Sequence, residues 1–137
     1  MGKYKMVVMD MDDTLMNNEN QMSPETESYL LDIQKQGYKV VLASGRPTEG
    51  MLPTAKKLKL DTYQSYVISY NGGKTVNVNT ETVEKSRTVT KENFDLIVDY
   101  CRKNNLFILT YEDGHIVYEG EHEYRIGINW VTYGTCK

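Results

Sequence analysis

The stretch Lys5–Leu15, KMVVMDMDDTL, decides the fold of the N-terminal part of the chain. Its apolar residues precede Asp10, and Asp is a poor strand residue, so the pattern predicts a buried strand that stops at Asp10. Asp12 follows two residues later, in a turn that closes at Thr14. Because open α/β sheets place their chemistry at the carboxyl ends of parallel strands, we interpret this turn as an active-site loop.

Composition limits the class of protein. The chain has 137 residues, 39% hydrophobic and 26% charged, which is typical of one small globular domain or a piece of a larger one. A net charge of −3 gives no basic footprint for nucleic acid. No apolar run approaches the ~20 residues of a membrane span, so we expect no membrane association. Two cysteines are too few for a disulfide framework, which favours the cytoplasm.

Strand and helix patterns alternate after the opening stretch. A helix is predicted to begin at Ser23, with Pro24 at its first position, and to end at Gly37 as its C-cap. Further segments are predicted as a strand over 38–43, a helix over 48–58 and a strand over 66–70. Pro53 is expected either to kink the second helix or to mark its true start. This order predicts right-handed βαβ units on a parallel sheet.

The pattern changes towards the C-terminus. The predicted elements are a hairpin of strands 74–78 and 82–89, a helix over 90–104, and a second hairpin of strands 106–111 and 115–118 around Asp113-Gly114. We therefore divide the chain near residue 89, into residues 1–89 and residues 90–137.

The candidate chemistry lies at the ends of the first two strands. Asp10 ends one and Ser44 ends the other, so parallel neighbouring strands would bring both side chains to one sheet edge. A carboxylate there can attack phosphorus, while Asp12 can protonate the leaving oxygen and later deprotonate water. The Ser44 hydroxyl and neighbouring backbone N–H groups, such as that of Gly45, can hold phosphoryl oxygens. Two acids beside a phosphate dianion repel each other, so the chemistry demands Mg²⁺.

Two motifs carry a family resemblance. Asp10–Leu15 resembles the first motif of the haloacid dehalogenase superfamily, and Val40–Pro47 resembles its second. The Gly-Arg-Pro continuation and the segment Ile68–Gly73 resemble the Cof-type sugar-phosphate phosphatases within it. The resemblance implies an α/β fold, with the first half of a Rossmann-like core over 1–89 and part of an α+β cap domain over 90–137.

The resemblance also implies roles for single residues. It makes Asp10 the nucleophile, Asp12 the acid/base and Ser44 a ligand of the transferring phosphoryl group, with both acids at the Mg²⁺ site. Arg46 either touches the substrate phosphate or forms a surface ion pair, and we leave these alternatives open. Asn71 is a candidate substrate contact, although an Asn before Gly is also an ordinary turn residue.

Two further family motifs have no match in this chain. The family's third motif is a Lys and its fourth a Gly-Asp stretch, and both lie beyond the cap, whereas the chain reaches Lys137 inside it. The resemblance therefore implies a truncated N-terminal fragment. In the family the first strand is central, so we expect Met6, Val7 and Val8 to lie on an uncovered sheet edge that favours a homo-oligomer.

These observations lead to two hypotheses on function. The first is a Mg²⁺-dependent phosphatase that acts on a small phosphorylated metabolite, such as a sugar phosphate, through an aspartyl-phosphate. The alternative is a catalytically inactive remnant or association module.

Overall fold

The computed structural model describes residues 4–112, 115–119 and 132–133. The chain forms two compact units, Met1–Arg87 and Thr88–Lys137. The division into a core over 1–89 and a cap over 90–137 stays a prediction about domains.

The first unit is built on a five-stranded mixed sheet. Its strands are β1 (Met6–Met9), β2 (Lys39–Ala43), β3 (Tyr66–Ser69), β4 (Lys74–Asn77) and β5 (Val83–Ser86), and they lie side by side in that order. The first three are parallel, and β4 and β5 are antiparallel to their neighbours. Met9 lies opposite Leu42, and Leu42 lies opposite Val67. This arrangement confirms the predicted α/β class and the parallel βαβ connections.

Helix α1 (Pro24–Lys35) has the ends that its sequence predicts. The Ser23 hydroxyl accepts a hydrogen bond from the backbone N–H of Thr26, which satisfies a free donor of the first turn. At the other end Gln36 is the capping residue and Gly37 follows it with φ of +90°. The amide of Gly37 donates to the Gln34 carbonyl, and the next amide donates back into the last turn, which is the Schellman arrangement.

Helix α2 (Thr48–Lys57) contains Pro53 in its interior. The expectation that Pro53 could mark the helix start is therefore wrong, and the helix begins five residues earlier. Proline has no N–H to donate, so one intrahelical bond is missing there. The helix is held instead by burial, because one side of it packs into the core. The largest fully buried apolar side chains of the unit are Met11, Val40, Leu42, Met51, Leu58, Leu60 and Val67.

The second unit has one helix and a three-stranded sheet. Its elements are α3 (Lys91–Lys103), β6 (Ile108–Glu112), β7 (His115–Glu119) and β8 (Thr132–Tyr133), with β6 and β8 on either side of β7. The predicted helix and both strands of the hairpin are confirmed, while the Asp113-Gly114 turn lies outside the described residues. Strand β8, parallel to β7, was not predicted.

An ion pair links α3 to β7 in this unit. The Arg102 guanidinium donates from Nε and Nη2 to the two carboxylate oxygens of Glu119, each at 2.8 Å. The Arg102 hydrogen bond lowers the pKa of the Glu119 carboxyl below its usual value. The pair therefore stabilises the helix against the sheet only while Glu119 is ionised.

Strand β1 forms one end of the first sheet. Its residues Met6, Val7 and Val8 are 51%, 39% and 52% exposed, although they are apolar. Within the described part of the chain no strand pairs with the outer edge of β1. The prediction of a buried strand before Asp10 is therefore wrong, because no described strand covers this side, and the exposed edge expected from the resemblance is present instead. Among the described helices, none combines the length and the apolar character needed to cross a membrane.

Candidate active site

The loop after β1 is organised by Met11. This side chain is fully buried, while Asp10 and Asp12 on either side of it are exposed. The Met11 carbonyl accepts the backbone N–H groups of Leu15 at 3.1 Å and Met16 at 2.8 Å, which curls the chain into a tight turn. The alternation of carboxylate, buried methionine and carboxylate therefore directs both acids away from the core at the end of the strand.

The acids of this loop differ in their partners. One carboxylate oxygen of Asp10 accepts the Met11 backbone N–H at 2.7 Å, and no other described residue bonds to the Asp10 side chain. Asp13 has φ of +58°, a left-handed conformation that Asp and Asn tolerate better than most residues. Its carboxylate makes no ion pair with any described residue. Asp12, by contrast, forms an ion pair.

Arg46 holds both oxygens of the Asp12 carboxylate. Its Nε donates to Oδ2 at 2.9 Å and its Nη2 donates to Oδ1, in a bidentate ion pair between the loops after β1 and β2. The same Nη2 donates to the Asn20 side-chain oxygen at 2.7 Å. The Asp12 and Arg46 side chains are 54% and 26% exposed. The structure shows an ion pair for Arg46, with the predicted acid/base as its partner, and the substrate contact stays a prediction.

The loop after β2 carries Ser44 in a nearly buried position. The Ser44 hydroxyl accepts the backbone N–H of Arg46 at 3.2 Å, which curves the chain around the hydroxyl. The segment after β3 packs on this loop through two backbone hydrogen bonds. The backbone N–H of Asn71 donates to the Ser44 carbonyl at 3.1 Å, and the backbone N–H of Tyr70 donates to the Arg46 carbonyl at 3.0 Å. Two backbone hydrogen bonds thus hold the ends of β2 and β3 together.

Two adjacent residues in the segment after β3 have left-handed backbones. Tyr70 has φ of +52° and Asn71 has φ of +53°, within the short 3₁₀ turn Tyr70–Gly72. Such a conformation is uncommon for Asn and rare for a bulky residue such as Tyr. It brings the Asn71 side chain so close to Gly45 that a Cβ there would lie 3.0 Å from Asn71 Oδ1. A Cβ at residue 45 would therefore force the Asn71 side chain to move.

The structure joins most of the predicted site residues by direct contact. Asp12 contacts Arg46, Arg46 contacts Ser44, and Asn71 contacts both Ser44 and Gly45. Asp10 is placed beside them by strand pairing, since it follows Met9 directly and Met9 lies opposite Leu42. No described side chain other than Arg46 neutralises the acids of this site.

The donor set at this edge suits Mg²⁺ in kind. Mg²⁺ is commonly held by one or two carboxylates, with waters and substrate phosphate completing its octahedron. Asp10 offers an exposed carboxylate, and Asp12 offers a second one, which Arg46 holds by both oxygens. The described residues contain no group of three or more His, Cys, Asp or Glu side chains that could hold a metal by themselves.

A separate cleft of about 530 Å³ lies in the second unit. Apolar side chains of α3, β6 and β7, such as Phe94, Ile108 and Val117, line it. It contains none of the predicted site residues and no acid other than Glu112 and Glu119. The candidate active site is therefore the sheet edge of the first unit, where the reactive groups converge.

A sequence model of the haloacid dehalogenase-like hydrolases matches residues 7–132. The chain belongs to this family. A solved haloacid dehalogenase-like hydrolase from Bacteroides thetaiotaomicron is 37% identical and superposes with a TM-score of 0.76, over 86% of this chain and 44% of that one. These findings confirm the family and the hydrolase class that the two motifs predicted.

Two curated proteins of Bacillus subtilis are also similar to this haloacid dehalogenase-like chain. YxeH is 36% identical over 80 residues, which are 58% of this chain and 30% of YxeH. The 5-amino-6-(5-phospho-D-ribitylamino)uracil phosphatase YcsE is 30% identical over 101 residues, which are 74% of this chain and 39% of YcsE. The chain thus spans less than half the length of these relatives.

Sequence reasoning missed two residues that contact the candidate site. Asn20 supports Arg46, but a polar residue in an acidic loop carries no signal of a partner 26 residues away. Tyr70 has a left-handed backbone, and its backbone N–H donates to the Arg46 carbonyl. The Asn-Gly pair that follows Tyr70 indicates a turn, but it does not indicate that the turn begins one residue earlier.

Proposed function

We propose that this chain carries the phosphoryl-transfer residues of a Mg²⁺-dependent phosphatase that acts on a small phosphorylated metabolite, such as a sugar phosphate, in the cytoplasm. The observation that carries the proposal is the placement of Asp10 at the carboxyl end of β1, beside β2 and the nearly buried Ser44. Membership in a hydrolase family supports it, as does similarity to a phosphatase of a phosphorylated ribityl compound.

The proposed reaction has two steps. A carboxylate oxygen of Asp10 attacks phosphorus, the bond from phosphorus to the ester oxygen breaks, and a proton from Asp12 passes to that oxygen. Asp12 then takes a proton from water as the water oxygen attacks phosphorus, the bond from Asp10 to phosphorus breaks, and inorganic phosphate leaves. The Ser44 hydroxyl and the backbone N–H of Gly45 bind the phosphoryl oxygens throughout.

Charge balance in this reaction requires a cation. The Asp10 carboxylate and a phosphoryl dianion repel each other, and Mg²⁺, when bound, supplies the positive charge that offsets this repulsion. Asp10 and Asp12 are the side chains that would hold it. Arg46 is the cationic side chain that already contacts Asp12 in the structure.

Turnover of an aryl phosphate tests the proposal. With Mg²⁺ present, the full chain should release the aryl alcohol, and Asp10→Asn should abolish this by at least about a thousandfold, since the nucleophile is lost. Asp13→Asn is the matched control, because it removes the same charge three residues away and Asn tolerates the left-handed backbone there. Absence of turnover at every Mg²⁺ concentration would contradict the proposal, as would equal losses in both variants.

A second candidate function is association through β1 by a catalytically inactive chain. The exposed Met6, Val7 and Val8 on the outer strand favour it, because an unpaired strand edge with apolar side chains is a template for pairing with another chain. Turnover that disappears in Asp10→Asn would exclude inactivity. Association by itself would be compatible with either function.

A further inference from the structure

We propose that Arg46 is a gate on Asp12, which closes on the carboxylate in the resting protein and opens when a phosphoryl group binds beside Ser44. The inference rests on the proposed function and concerns how the same site is controlled. Arg46 is then a positioning residue that couples the arrival of phosphate to the release of the acid/base.

The closed state follows from the contacts of Asp12. Both of its oxygens accept charge-assisted hydrogen bonds from one guanidinium, in the planar bidentate geometry that arginine and carboxylate share. Each oxygen gives one of its lone pairs to Arg46, and the two bonds together fix the carboxylate plane against the guanidinium. Asp12 is therefore held in one orientation until Arg46 exchanges partners.

Spare donors on Arg46 give a phosphate a way to open the gate. Nε and Nη2 are used by Asp12 and Asn20, but Nη1 has no acceptor among the described residues. The backbone N–H of Arg46 donates to the Ser44 hydroxyl, so the side chain starts two residues from the group that would bind phosphate. A phosphate dianion at Ser44 thus meets a guanidinium with two free N–H bonds.

The ion pair between Arg46 and Asp12 is weak enough for phosphate to replace Asp12. The Asp12 side chain is about half exposed, and an exposed ion pair holds with only about 0.2–1 kcal/mol. A dianion competes for the guanidinium with twice the charge of the Asp12 carboxylate and offers the same bidentate oxygens. Asn20 keeps one N–H of Nη2 occupied, which limits how far the guanidinium swings.

Binding of inorganic phosphate tests the gate without requiring catalysis. In the full chain, Asp12→Asn removes the ion pair with Arg46 and leaves the guanidinium available to phosphate. Phosphate should then bind about fivefold more tightly (about 1 kcal/mol), as measured by calorimetry. Part of any gain comes from removing one negative charge. Asp13→Asn removes the same charge from the next residue, which has no ion pair with Arg46 in the structure, so its gain should be clearly smaller.

Repeating both substitutions in an Arg46→Gln background isolates the gate. Without the guanidinium, Asp12→Asn and Asp13→Asn should affect phosphate affinity equally. In the wild-type chain, phosphate should also shift the NMR resonance of the Arg46 Nε–H group, because its acceptor changes. Ser44→Ala should weaken phosphate binding and reduce this shift.

Three results would overturn the gate: equal gains from Asp12→Asn and Asp13→Asn, saturation with phosphate that leaves the Arg46 resonance unchanged, or no phosphate binding at all. These results are distinct from failure of the proposed function. A chain that binds phosphate and opens the gate but never hydrolyses an aryl phosphate would disprove the phosphatase activity and leave the gate intact.

Discussion

Substituting Gly45 by Ala tests whether the loops after β2 and β3 are docked as a rigid pair. A Cβ at residue 45 would lie 3.0 Å from Asn71 Oδ1 and 3.3 Å from Asn71 Nδ2, whereas carbon and its neighbours prefer roughly 3.5–4.0 Å. The backbone of Asn71 cannot retreat easily, because its amide is bonded to the Ser44 carbonyl. The exposed side-chain amide of Asn71 has to rotate instead.

The expected cost of Gly45→Ala is about 1 kcal/mol in the free energy of unfolding, at the low end for overpacking because Asn71 is exposed. Asn71→Gly removes the obstructing side chain and accepts φ of +53° without strain. In the Asn71→Gly background, Gly45→Ala should therefore cost almost nothing. Urea denaturation of the four proteins gives the coupling energy directly, provided that the denaturant slopes agree.

Gly37→Ala is the matched control for this cycle. A Cβ there meets no heavy atom within 4 Å, but its φ of +90° is unfavourable for Ala, so the cost comes from the backbone alone. That cost should add to the effect of Asn71→Gly within about 0.5 kcal/mol. If Gly45→Ala is also additive with Asn71→Gly, the two loops are not docked as described.

Three further predictions follow from single contacts. Ser44→Ala should weaken phosphate binding about tenfold to a hundredfold in calorimetry, since one hydrogen bond to a charged group is lost from a site otherwise made of backbone N–H groups. Glu119→Gln should make the stability of the second unit less dependent on acid pH, as measured by amide exchange. Because the pKa of Glu119 is lowered in the folded chain, its stabilisation is present above the unfolded pKa and is lost as pH falls through the folded pKa. Val8→Lys should reduce concentration-dependent association in sedimentation, whereas Val83→Lys, at a residue 49% exposed on the opposite end strand, should leave it unchanged.

The association expected at β1 is weak. Burying a large apolar side chain contributes about 1.5–3 kcal/mol when it starts fully exposed, and the three side chains of β1 are about half exposed. The gain from two copies is then roughly 4.5–9 kcal/mol, which falls within the roughly 4–15 kcal/mol estimated for the cost of association. A dimer is therefore expected only at high protein concentration. Tight association at nanomolar concentration would show that another surface is responsible.

The sequence predicted the elements that position the site because local signals agreed there. Three segments had unambiguous local signals: the apolar residues before Asp10, the helix start at Ser23-Pro24, and the second apolar stretch that ends at Ser44. In each, the hydrophobic pattern and the capping or turn residues indicated the same element. Parallel pairing of β1 and β2 then followed from the short helical connection. The neighbourhood of Asp10 and Ser44 was predictable for this reason.

The contacts between loops were not predictable in the same way. Arg46 is separated from Asp12 by 34 residues, and its ion pair depends on how two turns are oriented after neighbouring strands. The sequence therefore left its role open between an ion pair and a substrate contact. The left-handed Tyr70, which bonds to the Arg46 carbonyl, and the pairing of β8 with β7 likewise involve partners distant in sequence, which carry no local signal.

The central claim is that Asp10 is the nucleophile, and chemical trapping tests it most directly. The full chain is mixed with Mg²⁺ and an aryl phosphate, quenched in acid and treated with borohydride, which reduces an aspartyl-phosphate to homoserine. Peptide mass spectrometry should find homoserine at residue 10 and unmodified Asp12 and Asp13. Hydrolysis without any homoserine at residue 10, or with the modification at Asp12 or Asp13, would contradict the claim.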